Sequence, residues 1–280
     1  MSFNTKRKFN KMVNTIRLNF NKINYKKRKE PDFIIIGVQK GGTTYLFDLL
    51  SQHNRVRAPI KKEIHFFDNN FDKGNKWYLS HFPLKSKAKN CITGEASPYY
   101  IFHPDAPKRI KKYLPLVKLI VLLRNPTERA YSHYQMALRN GNEKITDFEK
   151  AINNEKKRLE NYNTTNSDIF SQAMKHQKFS YVSRGRYYEQ IKRWFYYFDK
   201  EQFLFLTSEE LFENEEKTLE KVFNFLNLKK VKIADKNLNK NKGLYSDMPN
   251  NCRKILNNYY VEENKKLENL LNKKFYWNNE

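Results

Sequence analysis

The sequence predicts a single α/β domain, built on a P-loop-like strand–loop–helix unit, with a central parallel sheet flanked by helices. Three observations carry that expectation. The stretch "FIIIGVQKGGTTYLFDLL", Phe33 to Leu50, runs from a short β-branched apolar segment through a glycine-rich loop into an amphipathic one. A second buried-strand pattern, "KLIVLLRNP" from Lys118 to Pro126, is followed by a helical one. From Pro31 onward strand-like and helix-like segments alternate, as they do where helices cover both faces of a parallel sheet.

The elements follow in order. Residues 1–30 form a basic leader in which Phe9, Val13, Ile16, Phe20 and Ile23 recur at helical spacing among Lys and Asn, closing in "KKRKEP". An amphipathic helix on an anionic membrane, a segment packed on the domain and a disordered tail all fit this pattern. Residues 31–280 hold the domain itself. Phe33–Val38 reads as a buried strand, and Thr43 and Thr44 open a helix with Leu46, Leu49 and Leu50 on one face. "CITGEASPYY" is a short strand entering a loop at Pro98, and Pro126 is expected to stop the strand Lys118–Leu123. "TERAYSHYQMALRNG" is a helix closed by Gly141. The polar segment 142–180, with a helix near Phe148–Leu159, reads as an insertion or mobile loop. Helices are expected over Tyr187–Phe198, Glu215–Leu226 and Cys252–Leu271, and a strand over Phe203–Thr207.

Composition bounds the function less tightly. A chain of 280 residues with 15% aromatics can bury one large core. Its longest apolar stretches, such as Leu119–Leu123, are far too short to span a bilayer, and the N-terminus lacks an apolar signal region. The expectation is a cytoplasmic protein, with peripheral contact at the inner face of a membrane left open by the leader. Cys91 and Cys252 lie far apart and have neither disulfide-framework nor zinc spacing. The net charge of +24 suggests an anionic partner, yet 40 of the 54 basic residues are lysine in an asparagine-rich chain. An AT-rich genome produces that bias unaided, so the charge speaks to solubility and steering. No nucleic-acid module signature is present, and no nucleic acid is expected as partner.

The glycine loop is more specific. Gly37 and Gly42 keep the G-x-x-x-x-G spacing of a phosphate loop, but Thr43 follows Gly42 directly and the lysine stands earlier, at Lys40. Gly41 and Gly42 let backbone approach a ligand, and the amides at the helix start point at an anion. A plain tight turn explains the glycines alone, but not strand, double glycine, lysine and paired threonines together. Ligands of open parallel sheets bind beyond the carboxyl ends of the strands, which is where Arg124 falls, with Ser132 eight residues on. A guanidinium and a hydroxyl suit a second phosphate.

These residues resemble a family. "IIIGVQKGGTT", "KEIHFFD", "EASPYY", "LLRNPTERAYSHY", "RGRYYEQIKRWFYYF" and "FYWN" occur in the order and spacing of sulfotransferases that use 3'-phosphoadenosine 5'-phosphosulfate. The resemblance is strongest to the branch of heparan sulfate N- and 3-O-sulfotransferases and their bacterial relatives, and covers Asp32 to Trp277. It implies that Lys40, Gly41, Gly42, Thr43 and Thr44 hold the 5'-phosphosulfate, and that Arg124 and Ser132 hold the 3'-phosphate. It implies no metal, and an acceptor hydroxyl or amine on a carbohydrate-containing or lipid-linked molecule. Sulfuryl transfer leaves charge on the bridging oxygen, where a cation such as Lys40 is most effective.

Glu63 falls where the resembled enzymes have a glutamate general base, with Lys61, Lys62 and Lys40 near enough in sequence or site to keep it ionised. His65 is the alternative base, since imidazole titrates near neutrality. Two departures stand out. Ala96 replaces a lysine of the heparan enzymes, which removes a cation near the acceptor. Their late disulfide loop is also absent; "NKNKGLYSDMPNN" takes its place with Lys242, Gly243 and Tyr245, of which Tyr245 matches a position near the nucleotide. Two competing functions are a P-loop nucleotide phosphotransferase, which lacks the Gly-Lys-Thr order and an acidic magnesium ligand, and a non-enzymatic binder of anionic polymers or membranes.

Overall fold

The structure, a computed structural model, describes residues 3–159, 175–233, 243 and 245–277. Four strands form one sheet: β1 (Phe33–Gly37), β2 (Gly94–Ala96), β3 (Lys118–Leu123) and β4 (Phe203–Thr207), in the order β2-β1-β3-β4. β1 runs parallel to both neighbours, with Phe33 opposite Gly94 on one side and Lys118 on the other. Every residue of β1 is buried, as is all of β3 after Lys118. That double-sided burial is why both stretches are continuous apolar runs and not alternating ones. Gly94 is needed for the close pairing, because a Cβ there would lie 2.5 Å from the Phe33 carbonyl oxygen.

The chain groups into two compact units. The first comprises Met1–Val38, Gly42–Leu122 and Tyr197–Leu238, and the second Gln39–Gly41, Leu123–Tyr196 and Asn239–Glu280. In the first, Leu46, Leu49 and Leu50 of the helix Thr43–Leu50 bury against Ile35, Ile120 and Leu122 of the sheet and against Val222 and Phe223. Those two come from the helix Glu215–Phe225. Sequence patterning does not single out the short helices Gly74–Leu79, Ala106–Tyr113 and Ser208–Glu213.

The second unit is built on the helix Pro126–Arg139. Pro126 does not stop the strand, which ends at Leu123, but opens the helix, where a missing N–H costs nothing. Asn125 caps it, its Oδ1 accepting from Thr127 N at 3.0 Å. Ala130, Tyr131 and Tyr134 pack with Phe148, Tyr181, Cys252 and Tyr260 in this unit's core. The polar segment after Asn142 therefore begins as packed structure. The buried Glu143 carboxylate accepts from Arg158, from Tyr181 Oη at 2.9 Å and from Ile145 N at 2.9 Å. Residues 160–174, the middle of the expected insertion, lie outside the described residues, as does Lys242.

The leader holds a helix, Phe3–Ile23, whose C-terminal end is docked. Asn21 Nδ2 donates to Ser80 O at 2.8 Å, and Arg28 Nη1 to Phe82 O at 2.6 Å. Among its described side chains the apolar stripe does not pack. Val13, Ile16, Phe20 and Ile23 are 41%, 49%, 69% and 74% exposed. No helix among the described residues is long and apolar enough to cross a membrane.

Candidate active site

Within the second unit, the turn residues Gln39–Gly41 lie beside Arg124. Lys40 has φ 73°, a left-handed conformation that costs a non-glycine residue on the order of 1 kcal/mol. What holds it is visible: Arg124 Nη1 donates to the Lys40 carbonyl at 3.0 Å, and Gln39 Oε1 accepts from Arg184. Burial, then the guanidinium groups of Arg139, Arg124 and Arg129, lower the Lys40 ammonium to about 8. Ser132 is buried on the same helix as Arg129 and Arg139. Tyr245 is half-exposed, with its ring 5.7 Å from that of Tyr131. Gly243 comes so close to Arg139 that a Cβ would stand 2.7 Å from Nη1.

Among the described residues, Lys40, Arg124, Arg129 and Arg139 have no carboxylate within salt-bridge distance. Arg129 is fully buried with Nε and Nη1 unpartnered, and His133 Nδ1 is likewise unpartnered. Burial and the Arg184, Arg129 and Lys40 charges push that imidazole well below its ordinary range, so it adds no further positive charge. A cluster of repelling cations held by the fold suits a ligand with several negative charges, and phosphate and sulfate groups have the matching acceptors.

The other expected residues fall in the first unit. Gly42, at φ 92°, precedes the helix that Thr43 opens, and Thr44 Oγ1 accepts from Lys62 Nζ. Lys62 also lies 3.0 Å from Glu63 Oε1. Glu63 Oε2 is 3.4 Å from His65 Nε2, and His65 Nδ1 is 2.7 Å from Asp68 Oδ2. Burial would raise the Glu63 carboxyl, but the hydrogen bond to His65 and the Lys62 ammonium outweigh it and bring it to about 2. Burial disfavours charge on His65 too, yet its bonds to Asp68 and Glu63 raise the ring to about 9. At neutral pH the imidazole already carries its proton. Glu63 beside it is held in its ionised form and is 39% exposed. Of the other lysines expected beside Glu63, Lys61 acts on His81 and Lys40 belongs to the second unit.

A sulfotransferase-domain family model matches residues 30–273. The chain belongs to the sulfotransferase family. It is thus an enzyme of sulfuryl transfer, and the phosphotransferase and non-enzymatic alternatives fall away. Heparan sulfate glucosamine 3-O-sulfotransferase 5 of Homo sapiens is 35% identical over 219 residues, covering 77% of this chain and 59% of that protein. The membrane-associated sulfotransferase kil1 of Dictyostelium discoideum is 26% identical, covering 89% of this chain and 67% of that one. The chain thus spans about three fifths of the 3-O-sulfotransferase. A solved sulfotransferase from Alicyclobacillus acidocaldarius shares the fold with TM-score 0.72 at 24% identity, covering 89% of this chain and 99% of that one.

Several members of these clusters escape a sequence reading. Arg129 and Arg139 look like ordinary helix-surface charges until the helix places them near Lys40. Asp68 is visible as the last residue of "KEIHFFD", but only the turn brings it to His65.

Proposed function

We propose that this sulfotransferase moves a sulfuryl group from 3'-phosphoadenosine 5'-phosphosulfate to a hydroxyl or amine of a carbohydrate-containing or lipid-linked acceptor. The observation that carries the donor assignment is the cation cluster of Lys40, Arg124, Arg129 and Arg139, none of them ion-paired to a carboxylate among the described residues. In this reading Lys40, with the Gly41–Thr44 backbone, receives the 5' end, and Arg124 and Ser132 receive the 3'-phosphate. Tyr245 borders the nucleotide. Glu63 accepts the acceptor's proton as the oxygen or nitrogen bonds to sulfur, and the departing phosphate oxygen keeps the electron pair beside the Lys40 ammonium. A carboxylate this weakly basic suffices because the acceptor proton becomes strongly acidic as the new bond forms. Buried Ala96, standing where the heparan enzymes have lysine, favours an acceptor with fewer negative charges than heparin.

Thermal shift tests the donor assignment. Adenosine 3',5'-bisphosphate at about a hundred times its dissociation constant should stabilise the protein by roughly 2.7 kcal/mol, and ATP with magnesium should not. Equal stabilisation by both would overturn it. Radiolabel transfer to a glucosamine polysaccharide, a glycolipid and a phenol then sorts the acceptors.

A specific observation also favours peripheral membrane contact, which we propose occurs at the cytoplasmic face. The exposed stripe Val13, Ile16, Phe20 and Ile23 lies on a helix, Phe3–Ile23, that contains no acidic residue. Co-sedimentation with anionic vesicles, lost in high salt and absent with neutral vesicles, is the expected result. Equal binding to both vesicle types, or to neither, would remove this reading.

A further inference from the structure

A carboxylate that the proposed chemistry does not use lies behind the Glu63 loop. Glu95, on β2, is completely buried. Its Oε2 accepts from Ser97 Oγ at 2.7 Å and from Ile64 N at 3.3 Å, while its Oε1 accepts from Tyr78 Oη at 2.8 Å and from Tyr100 Oη at 3.2 Å. Two of these hydroxyls are relays. Ser97 Oγ accepts from His65 N at 3.1 Å, and Tyr100 Oη accepts from Phe66 N at 2.8 Å and Phe67 N at 3.3 Å. Four successive amides, Ile64 to Phe67, therefore end on one carboxylate, directly or through one hydroxyl.

The loop needs such a hold. His65 sits at φ 55°, in the left-handed region that a residue with a Cβ adopts only when its surroundings enforce it. That conformation accompanies the placement of its ring between Asp68 and Glu63. We infer that Glu95 is a positioning residue, fixing the Ile64–Phe67 backbone through Ser97 and Tyr100 so that His65 bridges Asp68 and Glu63. Its importance to turnover rests on Glu63 being the base, but the arrangement itself can be tested without turnover.

Burial raises the Glu95 carboxyl to about 7, against the hydrogen bonds from Ser97 and Tyr78. The groups facing it are Tyr78 of the helix Gly74–Leu79, Tyr100, and His65 and Asp68 of the loop. A proton on Glu95 converts one acceptor oxygen into a donor, so at least one of the four incoming bonds is displaced. The loop should therefore loosen as pH falls through this range.

The experiment is an NMR titration of the His65 ring in the full-length protein, free of donor and acceptor. Wild type should show the main His65 transition near 9 and a second, smaller inflection near 7. Glu95→Gln keeps the side-chain size but gives the network an NH2 where it needs an acceptor. It should abolish the lower inflection and move the main transition down by about one pH unit or more. Tyr100→Phe leaves the Glu95 charge in place and removes only the relay, and it too should lower the main transition. Affinity for adenosine 3',5'-bisphosphate should stay within about twofold in both variants, since the donor residues are untouched.

A shift in Glu95→Gln with none in Tyr100→Phe would reduce Glu95 to a through-space charge and overturn the inference. An unmoved His65 in both would do the same, as would a parallel loss of nucleotide affinity, which marks general loosening. Should Glu95→Gln not fold, Ser97→Ala, which deletes only the relay to His65 N, takes its place in the titration. A lowered main transition in that variant supports the inference, and an unmoved one overturns it.

Discussion

Around Lys40, three guanidinium groups press on an ammonium and no carboxylate among the described residues is ion-paired to them, whereas around Glu63 each charge has its opposite. Glu63 stands between Lys62 and His65, and His65 between Glu63 and Asp68. The first region is electrostatically incomplete until an anion arrives. The second is complete as folded, with its charges fixed before any substrate is present. Binding strength should therefore reside in the first and turnover in the second.

The largest expected effect tests that division directly. Glu63→Gln should leave the affinity for adenosine 3',5'-bisphosphate unchanged by calorimetry while kcat falls by roughly 10² to 10⁴, the usual loss with a general base. A variant that retained kcat but lost the nucleotide would reverse the two roles. Arg124→Ala comes next. It should weaken adenosine 3',5'-bisphosphate by about 1.5–3 kcal/mol and adenosine 5'-monophosphate hardly at all. Equal weakening of the two would mean that Arg124 serves only the Lys40 turn, whose carbonyl it holds.

A smaller effect sharpens the account of the cation cluster. Because the Lys40 ammonium is lowered to about 8, part of it is neutral above that pH, and an arriving polyanion restores its proton. Calorimetry at pH 8.5, repeated in buffers of different ionisation enthalpy, should record up to about one proton taken up per nucleotide bound. At pH 6.5 the uptake should nearly vanish, and Lys40→Ala should abolish it at both.

The smallest effect is on stability and concerns the balanced loop. The folded-state value of His65, about 9, lies above the ordinary 6.5, so its ion pairs contribute stability that is fully present below about 6.5. That contribution is lost as pH rises through 9. The Glu63 carboxyl is depressed to about 2, so its contribution is present above about 4.5 and lost as pH falls through 2. His65→Ala should accordingly lower the melting temperature most at pH 6 and progressively less towards pH 10. A constant difference across that range would show that the ring acts through packing alone.

The sheet and the glycine loop were legible because both-face burial leaves uninterrupted apolar runs, and because phosphate loops reuse one spacing. β4 matches its expected bounds, and the two expected helices after it, Glu215–Phe225 and Asn250–Leu271, differ by one or two residues at their ends. Short helices such as Gly74–Leu79 escaped because one and a half turns carry too little periodicity to register. At the site, Lys40 and Glu63 could be picked out by local motif. Arg129, Arg139 and Glu95 could not, since their roles come from neighbours distant in sequence, and a fully buried glutamate on a three-residue strand contradicts ordinary patterning. Backbone conformation was equally hidden. Nothing in "VQKGG" or "EIHFF" announces that Lys40 and His65 both adopt positive φ.

Burial, together with the crowding of guanidinium groups, also makes Lys40 a chemical address on the chain. Of its 40 lysines, this one should have roughly a fifth of its amines neutral near pH 7.4, on the order of a hundredfold more than an ordinary lysine. Only a neutral amine attacks an acylating reagent. A limiting dose of such a reagent should therefore mark Lys40 ahead of more exposed lysines, and prior addition of adenosine 3',5'-bisphosphate should protect it. Peptide mass spectrometry of the labelled protein would give a reporter of donor-site occupancy that needs neither an acceptor nor catalysis.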